Sequence, residues 1–345
     1  MSKIESIKLK FISPVHFGRG REELYKTELI YHSDSLKSAL YAVGFSLFDE
    51  WKNADYFFDN FQISSCFPYA GNELFLPKPQ LKRKLKFSNA NEDNASKKAK
   101  KIEFIEHTVF KKLVNSEKEE IAIDSNNISP DGAFICKSNS TFTLKDEKGN
   151  LTEFLFYKTE VQQRVNVPNE VEEIDSKPFY IDRIYFEKNC GLYFLAEFES
   201  EMIRSQVLQA LKLLGENGIG TDRTVGNGQF DFNAITDVSD FNFGISGKTE
   251  NHLLLGLYLP TIEEHQQIDF EKSHWSLLKR GGYMAGSSEE ELMHLRKKSI
   301  YMFGEGSVLK SDKLLKGKFE NLAPDWNNEK IHPVWRDGQC LLLKI

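Results

Sequence analysis

Apolar residues in the first part of the chain alternate in some stretches and recur at helical spacing in others. Ile7, Leu9 and Phe11 occupy every second position, which predicts a strand with one buried face. The motif His32-Ser33-Asp34-Ser35 predicts a helix start, because Ser and Asp side chains accept hydrogen bonds from free backbone N–H groups. A stripe at helical spacing follows it, formed by Leu36, Leu40, Val43 and Leu47. We therefore expect Asp34 to cap a helix rather than to act as a catalytic carboxylate.

The second half of the chain starts the same kind of alternation again. Its pattern predicts strands over Tyr180–Phe186 and Leu192–Phe198, a helix over Ser200–Leu214 and a strand over Gln229–Phe232. Together with the first half, this order predicts the α+β class. It is typical of the split β-α-β unit of ferredoxin-like folds.

An excursion bounded by strand-like segments lies between the two halves. Arg164 belongs to the segment before it, and Pro168 to Pro178 is acidic and irregular. This stretch is either a projecting loop or hairpin, or a simple linker between domains, and the pattern does not separate the two. At 345 residues the chain is long enough for two domains, which we place at residues 1–178 and 179–345.

A glycine-rich loop from Gly215 to Phe230 joins the predicted helix and strand of the second half. Its closely spaced glycines are Gly218, Gly220, Gly226 and Gly228. Arg223 is the cation at its centre, and successive N–H groups in such a loop form a concave site that suits phosphate. The alternative is an ordinary turn that closes a helix. The spacing excludes a P-loop and the helix-to-strand order excludes a dinucleotide fingerprint, so a polyanionic chain is favoured over a nucleoside triphosphate.

Positive charge is concentrated locally although the chain is acidic overall. The formal net charge is −6, but Lys78 to Lys118 carries twelve Lys/Arg against five Asp/Glu. Two smaller basic glycine loops lie at Val15–Gly20 and Lys279–Gly282. A charge run is often only a solvated face. The other interpretation is a surface for a nucleic-acid backbone, because Lys and Arg gain affinity by releasing counterions from phosphates.

The cysteines and the N-terminus give no sign of a metal or a membrane. The four cysteines form no C-x-x-C pair, so we expect reduced thiols rather than disulfides or a zinc site. The N-terminus lacks an apolar signal core, and no apolar run reaches membrane-spanning length. We therefore expect a soluble, cytoplasmic protein with no cofactor and no bound metal.

The order of these motifs resembles the RAMP superfamily of CRISPR proteins, and within it the subunits that cap the crRNA 5′ end in type III-A interference complexes. The matching motifs are Ser13–Gly18, His32–Leu36, Leu76–Pro79, the Arg164 segment, Gly218–Phe230, Lys279–Gly282, Lys298–Phe303 and His332–Val334. The resemblance implies two ferredoxin-like (RRM-like) RAMP domains with a projecting β-hairpin or thumb. It also implies a non-catalytic subunit that binds the repeat-derived 5′ tag of crRNA. The implied protein partners are the large Cas subunit with polymerase-like and HD domains, and the adjacent backbone subunit.

The resemblance and the basic loops together imply an RNA-binding site drawn from several parts of the chain. Its expected residues are His16, Arg19, Lys82, Arg83, Lys84, Arg164, Gly218, Gly220, Thr221, Arg223, Thr224, Gly226, Gly228 and Arg280. The chain departs from the family's pattern at Thr221-Asp222, where a further glycine or a basic residue is often found. The acid weakens the phosphate argument locally and places more weight on Arg223.

The main alternative is a RAMP endoribonuclease that processes the repeat RNA with a histidine as general acid or base. Such an enzyme needs an acid and a base near the 2′-hydroxyl, and His16 and His32 are the candidates. Nothing beside His16 in the sequence supplies a partner for it. A third possibility is an assembly scaffold that binds no RNA.

Overall fold

A computed structural model gives the fold of the chain and describes residues 4–18, 25–82, 84–88, 92–116, 120–145, 150–165, 178–235, 250–284, 295–326 and 331–345. Helices and strands are mixed along these residues, which confirms the predicted α+β class. The helices are α1 (Ser33–Gly44), α2 (Ala54–Asp59), α3 (Glu92–Lys101), α4 (His107–Asn115), α5 (Glu201–Asn217) and α6 (Ile262–Gln267). Within the described ranges, every helix falls short of the length and apolar character that a membrane crossing requires.

The strands are short and fall into two groups along the chain. Those before residue 166 are β1 (Glu5–Phe11), β2 (Phe61–Ile63), β3 (Phe67–Ala70), β4 (Glu73–Pro77), β5 (Lys84–Ser88), β6 (Phe104–Glu106), β7 (Glu120–Asp124), β8 (Phe134–Ile135), β9 (Thr143–Lys145), β10 (Leu151–Glu153) and β11 (Tyr157–Val165). Those after it are β12 (Pro178–Phe186), β13 (Cys190–Phe198), β14 (Phe230–Ile235), β15 (Asn251–Leu254), β16 (Leu277–Arg280), β17 (Ile300–Phe303), β18 (Val308–Lys310), β19 (Phe319–Asn321), β20 (Trp335–Asp337) and β21 (Leu342–Lys344).

The largest sheet joins strands from distant parts of the chain. Its strands lie in the order β14-β1-β13-β3-β4-β6-β8, and β2 pairs with the end of β13. β1 is antiparallel to both of its neighbours. Helices α1 and α5 follow β1 and β13 along the chain, which gives the connectivity β-α-β-β-α-β. Ile7 and Leu9, from the predicted alternating strand, are buried in one cluster with Leu36 and Leu40 of α1 and Leu211 of α5.

The predicted domain boundary at residue 178 divides this sheet. β13 and β14 lie after the boundary, yet they pair with β1, β2 and β3 before it. The boundary also separates β11 from β12, which pair along their whole length. Division into 1–178 and 179–345 therefore does not separate the sheets, because strands far apart in sequence complete each other's hydrogen bonds.

Residues 250–345 form a C-terminal region with sheets of its own. β15 lies between β18 and β21, and two ribbons, β16–β17 and β19–β20, extend this region. Leu254, Tyr258 and Leu309 form its small core. The region packs on the start of α1, where the Leu257 N–H donates to Ser33 Oγ at 3.0 Å.

A buried ion pair joins α1 to β20. Lys37 Nζ lies 3.0 Å from Asp337 Oδ2, and the two side chains are 0% and 2% exposed. Lys37 also donates to the carbonyl oxygens of Phe58 and Phe61, at 2.9 and 2.8 Å. Burial lowers the pKa of Lys37 and raises that of Asp337, in each case against the attraction of the partner. The ion pair therefore fixes the position of β20 against α1 more than it adds to the net free energy of unfolding. Loss of one partner, in contrast, leaves a buried unpaired charge.

Replacing Lys37 by Met should destabilise the protein strongly, because the Asp337 carboxylate then stays buried without its cation. We expect the free energy of unfolding to fall by about 3–5 kcal/mol, measured by urea denaturation at pH 7. The double variant Lys37→Met/Asp337→Asn should recover much of the loss. The control Lys52→Met, at an exposed pair with Asp49, should change it by less than about 1 kcal/mol. A Lys37→Met variant as stable as the control would contradict this account.

Candidate RNA-binding site

The glycine-rich loop between α5 and β14 is fastened to the segment that follows β1. The Gly228 N–H donates to Pro14 O at 2.9 Å, and the Thr221 N–H donates to His16 O at 3.1 Å. At the base of the loop, the Ile219 N–H donates to Gly228 O at 3.0 Å. The loop is therefore held at both ends and in its middle by main-chain hydrogen bonds.

Three of the four predicted glycines allow a close backbone approach. At Gly218, Gly220 and Gly228, φ is positive and an added Cβ would lie 2.6 Å or less from a backbone oxygen. At Gly226, φ is +84° but nothing lies within 4 Å of the Cβ position. The first three are thus needed both for conformation and for packing, whereas Gly226 is needed only for its left-handed conformation.

Most N–H groups of the loop already have partners inside the protein. The N–H groups that donate to backbone carbonyls are those of Gly218, Ile219, Thr221, Val225, Gly226, Asn227 and Gly228. The interpretation of successive free N–H groups as a phosphate cradle is wrong for these residues, because each would first have to break an existing bond. What the loop offers instead is its exposed tip, formed by the side chains of Thr221, Arg223 and Thr224.

Asp222 links the loop to the β11–β12 ribbon. It has a left-handed φ of 60°, and its Oδ2 accepts from Arg164 Nη1 at 2.7 Å and from Arg183 Nη2 at 3.3 Å. Arg183 is buried, whereas 32% of the Arg164 side chain stays exposed. Asp222, the acid at which the chain departs from the family's pattern, therefore anchors the β11–β12 ribbon on the loop. The sequence did not point to Arg183, because only the pairing of β11 with β12 brings it to Asp222.

His16 is buried, which corrects the prediction that its ring contacts RNA. Its Nδ1 donates to Asp182 O at 2.6 Å, and its own carbonyl accepts from the loop at Thr221. The ring lies so close to Gly18 that a Cβ there would be 2.7 Å from Nε2. As arranged, His16 supports the glycine loop from beneath and does not face solvent.

Arg280 is engaged by a buried carboxylate, which corrects its placement among the RNA-binding residues. Its Nε and Nη2 each donate to Asp34 at 2.9 Å, and Nη2 also reaches Ser35 Oγ at 2.8 Å. Asp34 is fully buried, and Arg280, with smaller help from Arg336, holds its pKa well below the usual range against the effect of burial. Asp34 lies in the first turn of α1, as predicted, but its role is an ion pair, and no side-chain cap bond forms at His32.

The other predicted contacts lie partly outside the described residues. Arg19, Arg83 and the excursion over Val167–Lys177 fall outside them, and the side chain of Lys84 is likewise not described. Lys82 is exposed next to β5, which is compatible with the predicted basic surface. On α3 of that surface, the exposed lysines are Lys97, Lys98, Lys100 and Lys101.

One group of side chains has the residue types of a metal site. Ligand atoms of Glu73, Glu106 and His107 lie within 4.8 Å of one another. Glu106 caps α4 by accepting from Thr108 N at 2.9 Å, and His107 Nδ1 lies 2.9 Å from the same carboxylate. Glu73 pairs with Lys137 at 3.1 Å. These contacts give each residue a structural role without an ion.

Comparison with known families and proteins gives matches along nearly the whole chain. The RAMP superfamily matches residues 8–231, and the CRISPR Csm4 C-terminal domain matches residues 247–345. The chain is 26% identical to the CRISPR system Cms protein Csm4 of Methanocaldococcus jannaschii over 377 residues, which cover 99% of this chain and 97% of that protein. It is also 26% identical over 261 residues to the protein of the same name from Thermococcus onnurineus, covering 75% of this chain and 73% of that one.

Solved structures with the same fold include members of CRISPR complexes. A chain in the crystal structure of the Csm3–Csm4 subcomplex of the type III-A CRISPR-Cas interference complex aligns with a TM-score of 0.66 at 21% identity, covering 99% of both chains. A chain in the crystal structure of the Csm1–Csm4 cassette in complex with cA4 aligns with a TM-score of 0.57 at 17% identity, covering 99% of this chain and 98% of the other. At these identities the likeness establishes the fold.

Two glycine substitutions should separate packing from conformation in the loop. Gly226→Ala should lower the free energy of unfolding by about 1–2 kcal/mol, the cost of a left-handed conformation with a Cβ. Gly228→Ala should cost roughly 2 kcal/mol more, because its Cβ would also collide with Ile219 O at 1.9 Å. Urea denaturation of both variants measures this difference. Equal losses would show that the loop relaxes freely and is not locked by its backbone contacts.

Proposed function

Because this chain belongs to the RAMP superfamily, we propose that it is a non-catalytic RNA-binding subunit of a type III-A CRISPR effector complex. In this role it binds the 5′ tag of crRNA and anchors the large Cas subunit to the backbone filament. The observation that carries the proposal is a glycine loop, locked by its own backbone, whose exposed tip presents Arg223 between Thr221 and Thr224.

The chemistry of this tip suits an RNA backbone. A guanidinium group can donate two parallel hydrogen bonds to a phosphate, and threonine hydroxyls can donate to further oxygens. Because the loop is already fixed, little conformational entropy is lost when a ligand binds. Arg164 supports the same surface, since its contact with Asp222 uses one terminal nitrogen and part of its side chain stays exposed.

We infer the finer architecture from the sheet order and the family matches. The β-α-β-β-α-β elements within residues 4–235 are interpreted as the first ferredoxin-like domain, and residues 250–345 as a second domain. The family matches have their boundary in the same part of the chain, because the RAMP match ends at residue 231 and the Csm4 C-terminal match begins at residue 247. The β11–β12 ribbon, which pairs up to Val165 and Pro178, is interpreted as the base of the thumb.

The endoribonuclease alternative gains no support from the surroundings of its two candidate residues. His16 is buried beneath the loop. His32 is held between Glu305, 2.7 Å from Nδ1, and Glu28, 3.2 Å from Nε2. Each ring is buried and already engaged by protein groups. The scaffold alternative, which binds no RNA, is separated from the proposal by direct measurement of RNA affinity.

Arg223→Ala should weaken tag binding by roughly 1–3 kcal/mol, the range for a lost charge-assisted hydrogen bond. The slope of log affinity against log salt should also fall by about one, because one phosphate contact is lost. Fluorescence anisotropy with labelled tag RNA over a salt series measures both quantities. The control Lys52→Ala also removes one positive charge, in the turn that follows the C-terminal end of α1. It should change neither the affinity nor the salt slope. An Arg223→Ala variant with the affinity and slope of the parent protein would remove the loop from the RNA site.

In reconstitution, we expect one copy of the chain per complex, bound directly to the large subunit even without RNA. The physical reason is that a capping subunit must end a repeating heterologous interface, which would otherwise continue to grow. Native mass spectrometry of the chain mixed with the large subunit, and then with the backbone subunit, gives the composition. Several copies per filament, or no binary complex with the large subunit, would contradict the capping role.

A further inference from the structure

Helix α3 carries a basic surface that the proposed tag site at the glycine loop does not use. Its exposed lysines are Lys97, Lys98, Lys100 and Lys101. At ~3.6 residues per turn they span an arc of about 160° around the helix. Ala99 points the opposite way and packs against the core. The four lysines therefore form one continuous surface toward solvent, which we call the α3 lysine face.

The α3 lysine face is fixed on the large sheet by contacts at the C-terminal end of the helix. Lys78, which follows β4, donates through Nζ to Ala99 O at 2.6 Å. Just after the helix, the Glu103 N–H donates to Ala133 O at 2.9 Å, next to β8. Ile102 lies between these contacts and is buried in the core. The lysines thus project from a supported helix with a definite position in the fold.

The acids nearest to the α3 lysine face do not pair with it. Glu92 and Asp93 belong to the first turn, at the other end of the helix. Glu103 follows the helix but lies beyond ion-pair distance of all four lysines. Glu120 pairs with a lysine of β5 at 3.4 Å, and Asp131 accepts from a tyrosine hydroxyl at 2.9 Å. The surface therefore keeps a net positive charge.

The spacing of the lysines places like charges side by side. Lys97 lies three residues before Lys100 and four before Lys101, so their side chains are neighbours on the helix surface. A helix that is merely solvated gains from acids at this spacing, whereas like charges repel. The carbonyl end of α3 favours cations in its last turn, which lets the free protein tolerate them. A polyanion bound to this face would relieve their repulsion.

The side chains around this face indicate which kind of polyanion it fits. Among the described residues from 48 to 160, no large hydrophobic side chain is exposed. The surface therefore lacks the aromatic and apolar anchors that carry most protein interfaces. For the same reason it offers no ring on which a nucleobase could stack. Lysine ammonium groups act as flexible point charges, which suits the phosphates of a nucleic acid without reading its sequence.

The α3 lysine face and the glycine loop lie toward opposite ends of the large sheet. The loop leads into β14, the first strand in the sheet order, whereas α3 is fixed beside β4 and β8, the fifth and last strands. With ~4.8 Å between neighbouring strands, the two surfaces are on the order of 20–30 Å apart. A stacked strand that rises ~3.4 Å per nucleotide needs about six nucleotides or more to cover that distance.

We propose that the α3 lysine face binds the phosphodiester backbone of RNA outside the segment held at the glycine loop, without reading its bases. The donors are the lysine ammonium groups, and each phosphate that they neutralise releases counterions. This inference rests on the proposed function and extends it to RNA that flanks the tag. It also gives a role to the basic stretch after β4, which the tag site leaves unused.

The test compares two triple variants that each remove three exposed lysines without an ion pair among the described residues. One is Lys97→Gln/Lys98→Gln/Lys100→Gln, and the control, with its changes scattered over the molecule, is Lys188→Gln/Lys212→Gln/Lys313→Gln. Lys101 is kept because its stem lies against Gly132. Both variants should keep the Tm of the parent protein, because every removed group is exposed.

Fluorescence anisotropy over a salt series is measured with two labelled RNAs, the tag alone and the tag flanked by about ten unrelated nucleotides on each side. That length exceeds the distance between the two surfaces. The α3 variant should bind the tag alone as the parent protein does. For the flanked RNA, its affinity should fall roughly tenfold and its salt slope by about two, at ~0.7 per lost phosphate contact. The control should change neither, since scattered charges are screened.

The outcomes separate this inference from the proposed function. If the parent protein binds the tag but gains nothing from the flanks, or if the two triple variants behave alike, the inference is refuted and the proposed function stands. Equal weakening with both RNAs would place the lysines inside the tag site, which also contradicts it. Binding of the flanked RNA alone, lost in the α3 variant, would support the inference and overturn tag recognition. A parent protein that binds neither RNA would overturn both.

A contact between proteins is the remaining use of this face, and reconstitution tests it. The α3 variant should still join the large subunit and the backbone subunit, as native mass spectrometry would show. Loss of either subunit, with the affinity for the flanked RNA unchanged, would assign the lysines to an acidic protein surface and refute RNA binding at α3.

Discussion

The forked ion pair between Asp34 and Arg280 fixes the start of α1 against the C-terminal region, because both oxygens of the buried carboxylate accept from one guanidinium group at 2.9 Å. Two further ionic contacts lie along the same helix, from His32 to Glu305 and from Lys37 to Asp337. Burial opposes protonation of His32, but Glu305 and Glu28 raise its pKa to about 10, so its ring is charged at neutral pH. Buried pairs of this kind add little net stability because desolvation offsets their attraction. We interpret the three contacts as specifying one orientation of the two regions.

The glycine loop solves a different physical problem, which is to hold a cation at the surface in a fixed position. Its backbone approaches its neighbours too closely for any side chain at three positions, and most of its N–H groups are spent on internal bonds. Arg223 therefore stands on a rigid support while its own side chain stays exposed. Asp222 lowers the local positive charge, and in return it joins the loop to the β11–β12 ribbon through Arg164 and Arg183.

Net charge is a poor guide to the proposed function of this chain. The total of −6 is spread over the whole molecule, whereas binding depends on the potential at one surface. Around α1, the pairing of each cation with a carboxylate matters more than the number of charges. Arg280 donates to both oxygens of the buried Asp34 at 2.9 Å, and Arg336 lies farther from the same carboxylate, with Nη1 at 3.8 Å from Oδ2.

The sequence by itself determined several of the local elements. Alternation at Ile7 and Leu9 and helical spacing after His32 predicted β1 and α1, and the helix predicted to start at Ser200 is α5, which Ser200 caps by accepting from Ile203 N. These signals are local, because periodicity reflects the geometry of a single strand or helix. Only the tertiary structure decided the sheet order, which interleaves strands from both sides of residue 178.

Tertiary structure also decided which charged and polar groups are free to bind a ligand. Arg280 and Arg223 both lie near glycines in similar basic stretches of the sequence. Arg280 is held by a buried acid from a helix 246 residues earlier in the chain, whereas Arg223 faces solvent. His16 was expected to contact RNA beside the glycine loop. It is instead buried, and its carbonyl oxygen accepts a hydrogen bond from that loop. A side chain's partner is set by long-range packing, and no pattern along a single sequence carries that information.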